Sequence, residues 1–145
     1  DTIAQVVALA AIMPVIAALG GNSGSQSLSV VIRAITLGEL DIKEDWRLLS
    51  KQLSIGLITG LAVGSTAGLI IFFRYQNIFL SLIALLAMIG SLVIGSIFGF
   101  LIPVILKSLG IDPALASSIF LTAITDVSGF FVFLGLARLF MPLLQ

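Results

Sequence analysis

The chain is 145 residues long, 59% hydrophobic and only 10% charged, with seven acidic against seven basic residues and a mean hydropathy of +1.26. A soluble domain of this size carries about 25% charged residues, so composition excludes a soluble fold. The absence of cysteine and histidine excludes disulfides, thiolate or imidazole metal sites, and any Ser–His or Cys–His catalytic pair within the chain; a metal bound here must be held by oxygen, which suits hard cations such as Mg²⁺ or Ca²⁺.

Uncharged runs cover Thr2 to Ile32, Gln52 to Phe73 and Gln76 to Leu106, each long enough to cross a hydrocarbon core of ~30 Å. With the stretch Ala114 to Met141 they make about four crossings. The expected fold is therefore all-α: a polytopic helix bundle in a lipid bilayer, one transmembrane domain over residues 1–145, its first span long and kinked or broken. No basic n-region precedes Thr2 to Ala18, so no signal peptide is read there. The chain opens at Asp1 without Met and runs almost at once into apolar sequence, and a longer parent chain is expected.

In the first segment, Ile3 to Leu19 is apolar with Pro14 inside it, a residue that kinks a helix. A polar run of small residues follows, Gly20-Gly21-Asn22-Ser23-Gly24-Ser25-Gln26-Ser27, before apolar sequence resumes from Leu28 to Leu37 around Arg33. As a water-exposed loop, the run would strand Leu28 to Leu37 as an interfacial helix. The preferred reading is one long helix carrying the run inside the membrane, because Asn22, Ser25, Gln26, Ser29 and Arg33 recur at spacings of three and four and form one stripe. Irregular or polar backbone at that depth is tolerated where it lines a cavity. Against this stands a plainer role, in which Asn22 and Gln26 hydrogen-bond a neighbouring helix at about 0.6–2 kcal/mol each.

Glu39 to Lys51 is the one strongly charged stretch. It reads as a connector at the membrane surface, with Trp46 suited to headgroup level. The next span, about Leu53 to Phe73, carries Gly56, Gly60, Gly64 and Gly68 at strict four-residue spacing, a ridge on which another helix can pack closely. The third, about Ile78 to Leu106, repeats the device with Ser91, Gly95 and Gly99, with Pro103 near its end and Lys107 and Gly110 closing it. Asp112-Pro113 supplies an N-cap and a first-turn proline for the last helix.

That last helix holds the most informative residue. From Ala114 to Ala137 the only charge is Asp126, and a carboxylate at mid-bilayer costs roughly 2.5–3.5 kcal/mol on insertion scales. At helical spacing its face comprises Ser118, Thr122, Asp126 and Gly129, then Phe130 and Phe133. An acid at such a position marks an ion or proton path; a protonated Asp making one interhelical hydrogen bond is the competing role. Basic residues set the orientation: Arg33, Lys43, Arg47, Lys51 and Lys107 share one side and Arg74 and Arg138 the other, so the 39–51 connector is expected in the cytoplasm and both termini outside.

At Gly20 to Ser27 (GGNSGSQS), Val30 to Leu40 (VVIRAITLGEL) and Asp112 to Arg138 (DPALASS…TAITDVSGFFVFLGLAR) the sequence resembles the MgtE family of magnesium transporters, over the whole chain. The resemblance implies a five-helix membrane domain, of which this chain corresponds to the second to fifth helices. The family's first helix and a possible cytosolic regulatory domain lie outside it. It further implies a homodimer in a prokaryotic inner membrane, with the ion pathway between the first and last segments of this chain. Carried over residue by residue, the pore aspartate falls on Asp126 and the motif residues on Gly20, Gly21 and Asn22. Ser25 and Ser118 stand where relatives often have asparagine, which bears on ion preference.

The expected function is thus transport of a hydrated divalent cation, Mg²⁺, through a pore at a dimer axis. Its oxygen ligands are Asp126, Gly20, Gly21, Asn22, Ser25, Ser29, Ser118 and Thr122. Mg²⁺ gives up its water reluctantly, so such a pore reads the hydration shell. A proton- or sodium-coupled carrier using Asp126 as its proton site is the alternative. An intramembrane aspartyl protease needs two carboxylates in one site, and one chain has a single one at depth; no catalytic residue, organic cofactor or nucleic-acid partner is expected.

Overall fold

The computed structural model describes the backbone of residues 2–40 and 46–144, and the side chains of these except 2–6, 9 and 141–144. Four helices account for nearly all of it: α1 (Thr2–Thr36), α2 (Trp46–Tyr75), α3 (Ile78–Ser108) and α4 (Pro113–Leu144). Their lengths of 35, 30, 31 and 32 residues correspond to about 45–52 Å. Among the described residues, α2, α3 and α4 up to Phe140 are long and apolar enough to cross a membrane.

The first span is not broken. α1 runs without interruption through Pro14 and through the whole polar run of 20–27, which removes the loop alternative. The second helix starts at Trp46, well before the expected Leu53, so Arg47 and Lys51 are exposed helical residues rather than connector. Charge alone does not stop a helix; here it marks the turns that project beyond the apolar span. The middle of the expected connector, 41–45, lies outside the described residues.

The ends follow local rules. α1 and α3 both finish in a glycine with positive φ, Gly38 (φ 69°) and Gly110 (φ 75°). In each case the two following amides turn back onto the last turn: Gly38 N–H and Glu39 N–H donate to Ile35 O and Ala34 O, and Gly110 N–H and Ile111 N–H to Lys107 O and Leu106 O. This is the Schellman arrangement, which a residue with a Cβ adopts only at a cost. Asn77 caps α3 by accepting from Phe79 and Leu80 N–H. Asp112 caps α4 by accepting from Ala114 N–H at 2.9 Å, with Pro113 as its first residue.

α3 is the centre. It packs against α1, α2 and α4, and α1 packs also on α4. The glycine ridge of α2 is buried against it: a Cβ at Gly56 would meet Ser96, one at Gly60 Ile89, one at Gly64 Leu85 and one at Gly68 Ser81. That order runs backwards along α3, so α2 and α3 are antiparallel. α1 meets α3 in parallel, Gly20 lying at Ser91 and Gly95, and Gly24 at Gly95 and Gly99. α4 runs against both, Gly129 lying at Ser91 and Ala17 while Gly21 lies near Thr125 and Gly24 against Leu121. The helices therefore alternate in direction. Arg33, Arg47, Lys51 and Lys107 gather at one end, and Arg74 and Arg138 at the other.

Candidate ion path on the α1–α4 face

The polar run of α1 divides between two faces. Gly20, Ser23, Gly24 and Ser27 turn to α3. There Ser23 Oγ donates to Leu92 O at 3.1 Å and lies 2.9 Å from Ser96 Oγ, while Ser27 Oγ donates to Ser96 O at 2.9 Å. From the other helix, Ser91 Oγ donates to Ile16 O at 3.0 Å. Hydroxyls and glycines thus form a tight α1–α3 seam, in which the Gly20 carbonyl lies against Gly95. Ser23 and Ser27 were not among the expected site residues, and they take the helix–helix hydrogen bonds weighed for Asn22 and Gln26. The signal was present in the sequence: small residues at spacings of three and four from Gly20 to Ser27 match those at Ser91, Gly95 and Gly99.

The second face holds Asn22, Ser25, Gln26, Ser29 and Arg33, all exposed, while Gly21 between the two faces is half-buried near Thr125. On α4 the equivalent divide puts Ser117, Leu121, Thr125, Gly129 and Phe133 inward, buried, with Ser118 and Thr122 exposed and Asp126 half-buried beside them. Gly129 and Phe133, expected on the stripe of Asp126, belong to the packed side, and Phe130 sits at the boundary, 36% exposed. Helical geometry sets where these stripes point. α4 touches α1 along Ala17, Gly21, Gly24 and Leu28, and α3 touches it along Ile16, Gly20, Ser23, Ser27 and Val31. At 100° per residue the Asn22–Arg33 stripe lies on the far side of α4 from α3. The same construction on α4 turns Asp126 and Thr122 to that side. Both polar stripes lie on the face of the α1–α4 pair that α2 and α3 leave uncovered.

Along the bundle axis, the Gly21–Thr125 and Gly24–Leu121 neighbours bring Asp126 level with Gly20, one turn or less from Asn22, and Ser118 level with Leu28. Ser118 and Thr122 line a shallow open groove with Ile119 and Ala123. Two of the hydroxyls have committed their protons: Ser29 Oγ donates to Ser25 O at 2.8 Å and Thr122 Oγ1 to Ser118 O at 2.9 Å. A hydroxyl bonded back to its own helix offers only lone pairs outward. It is then an acceptor, the partner that water molecules around a cation need. Among the described residues Asp126 has neither a hydrogen-bond partner nor an ion pair, and no cluster of three or more His, Cys, Asp or Glu side chains could hold a bare metal ion. Within one chain, the donor set is a single carboxylate amid neutral oxygens.

Comparison with known proteins adds an independent line. The family model for MgtE, described as a divalent cation transporter, matches residues 13–136. The chain is 32% identical over 97% of its length to the magnesium transporter MgtE of Bacillus subtilis. It is 31% identical over 92% to the protein of that name from Thermus thermophilus, and 30% identical over 92% to that from Enterococcus faecalis. It spans 31%, 30% and 29% of the lengths of those three proteins.

Proposed function

The chain belongs to the MgtE family of divalent cation transporters, and from that premise we propose that it forms the pore-lining part of a magnesium transporter. In this reading the α1–α4 faces of two copies meet about a two-fold axis and enclose a path for hydrated Mg²⁺. Asp126 supplies the charge. Asn22, Ser25, Ser29, Ser118, Thr122 and the backbone at Gly21 supply neutral oxygens to the ion's water shell. Gly20 serves from behind, holding α1 against α3 so that the stripe stays in place.

One observation carries the reading. A half-buried carboxylate and two rows of exposed polar side chains share the face of the α1–α4 pair that α2 and α3 leave uncovered. Against lipid that face is costly, since a carboxylate at depth needs water, a partner or a counter-ion. A second copy covers it, and two-fold symmetry then puts two copies of Asp126 about one axis, matching one divalent charge. Mg²⁺ retains its water in most protein sites, in keeping with a site of neutral acceptors rather than a cage of acids.

The connector-bearing end, with Arg33, Arg47, Lys51 and Lys107, faces the cytoplasm of a prokaryotic inner membrane in this reading, by the excess of basic residues there. The relatives are more than three times as long, and we assign to the whole protein a preceding helix and a cytosolic regulatory domain. The test is Mg²⁺ uptake into vesicles, wild type against Asp126→Asn. Loss of uptake in a folded, inserted variant is the expected result, and wild-type uptake overturns the assignment. Uptake that also collapses when the proton or sodium gradient is dissipated supports a coupled carrier instead.

A further inference from the structure

We propose that Arg33 is a charge barrier at the connector-side mouth of this path, setting how fast divalent cations pass. The inference rests on the pore reading above and goes beyond it, since it concerns a cation on the path rather than a ligand. Arg33 is exposed, on the last turn of α1. It shares a face with Asn22, Gln26 and Ser29 and stands one helical turn beyond Ser29. The opposite side of this turn is covered: Val31 is fully buried with Leu40 and Phe100, and Ala34, Ile35 and Leu48 pack on them. The chain leaving α1 therefore folds back over α3, and the guanidinium stays on the open face. At 1.5 Å per residue, Arg33 stands roughly 19–20 Å along the axis from the level of Asp126 and roughly 16–17 Å from that of Asn22. Each distance is about half the thickness of a hydrocarbon core or somewhat more, so the guanidinium sits where the path meets water.

A fixed positive charge at that place acts on a dipositive ion twice as strongly as on a monovalent one. An arginine cannot shed its proton to relieve the repulsion. A snorkelling arginine at the same height, holding lipid phosphates, is the ordinary role for such a residue. The two roles part on one point: a barrier slows the ion and an anchor does not.

The experiment is the initial rate of Mg²⁺ entry into vesicles of zwitterionic lipid, with equal amounts of inserted protein and at low and high ionic strength. The variants are Arg33→Gln, Arg33→Lys and Asp126→Asn. A guanidinium about 10 Å from a dipositive ion in water corresponds to a rate difference of roughly fourfold at low salt, and screening removes most of it near 1 M. Arg33→Gln is expected to be faster by about that factor in dilute buffer and close to wild type in high salt. Arg33→Lys, with the charge kept, is expected to match wild type. An Arg33→Gln rate equal to or below wild type in dilute buffer overturns the proposal, as does an Arg33→Lys rate that follows Arg33→Gln. If Arg33→Gln does not insert, Arg33→Met carries the same test. Asp126→Asn separates the two readings: uptake retained there removes the pore itself, whereas uptake lost there with Arg33→Gln unchanged removes only the barrier.

Discussion

In the proposed path Asp126 supplies the charge, and that role gives its replacement a definite size. A dipositive ion about 5 Å from a carboxylate, with one layer of water between, is held by roughly 1.7 kcal/mol even at the dielectric constant of bulk water. Asp126→Asn keeps the shape and removes the charge, so Mg²⁺ uptake is expected to fall by at least about tenfold while the protein still inserts and elutes from gel filtration as wild type does. Asp126 was legible from the sequence because an unaccompanied acid in an apolar span is expensive. Its neighbours were less so. Periodicity put Gly129 and Phe133 on the same stripe, but Gly129 seats Ala17 and Ser91 and Phe133 is fully buried. A helix that packs on two others exposes only a narrow strip, and sequence spacing does not say where that strip's edges fall. The donor direction of Ser29 and Thr122 was equally invisible, since it depends on whether each hydroxyl bonds its own helix or a neighbour.

At the scale of the helix, small residues set the arrangement. Without a hydrophobic force between helices in lipid, close backbone approach and interhelical hydrogen bonds hold the bundle together. The α2 ridge and its packing role could be read from four-residue spacing, and the ends at Gly110 and Asp112 from their residue types, whereas the Gly38 cap was not read. The second seam, α1 on α3, was hidden inside a run that looked wholly functional, because serine serves both a dry contact and a wet one. These seams differ from open glycines in a measurable way. A Cβ at Gly60 falls 2.9 Å from the Ile89 backbone and one at Gly95 onto the Gly20 carbonyl, whereas Gly135 has open space around it. Gly60→Leu and Gly95→Leu are expected to destabilise the bundle by about 1–3 kcal/mol or more through overpacking. Gly135→Ala is expected to stabilise it by about 0.5–1 kcal/mol, since alanine replaces glycine inside a helix with no clash. Thermal unfolding in detergent, followed by gel filtration, ranks the three; equal melting for all of them would mean that the seams do not carry the fold.

For the whole molecule, the four alternating helices centred on α3 leave one face chemically unlike the rest. α2 turns Ile58, Leu61, Leu69, Ile70 and Phe73 outward, as a helix facing lipid does, and α4 turns Val127, Phe131 and Leu134 outward in the same way. Among the described residues, the α1–α4 face gathers Asn22, Ser25, Gln26, Ser29, Ser118, Thr122 and Asp126 in one surface. If that surface is a water-filled path in the assembled protein, its positions differ from their neighbours in solvent access rather than in exposure within one chain. Val30 makes the distinction sharp: it is 46% exposed in the single chain, yet it lies off the stripe, on a side that the proposed assembly leaves to lipid. Single cysteines at Ser25 and Ser29 are therefore expected to react readily with a membrane-impermeant thiol reagent, because only the ionised thiolate reacts and it forms in water. Millimolar Mg²⁺ is expected to slow both reactions by occupying the path. Cysteines at Val30 and at half-buried Ile35 are expected to react slowly, with no effect of Mg²⁺. Equal labelling at all four positions would make α1 water-exposed on every side and overturn the path. Slow labelling at Ser25 and Ser29 would mean that another helix, and not water, covers the stripe.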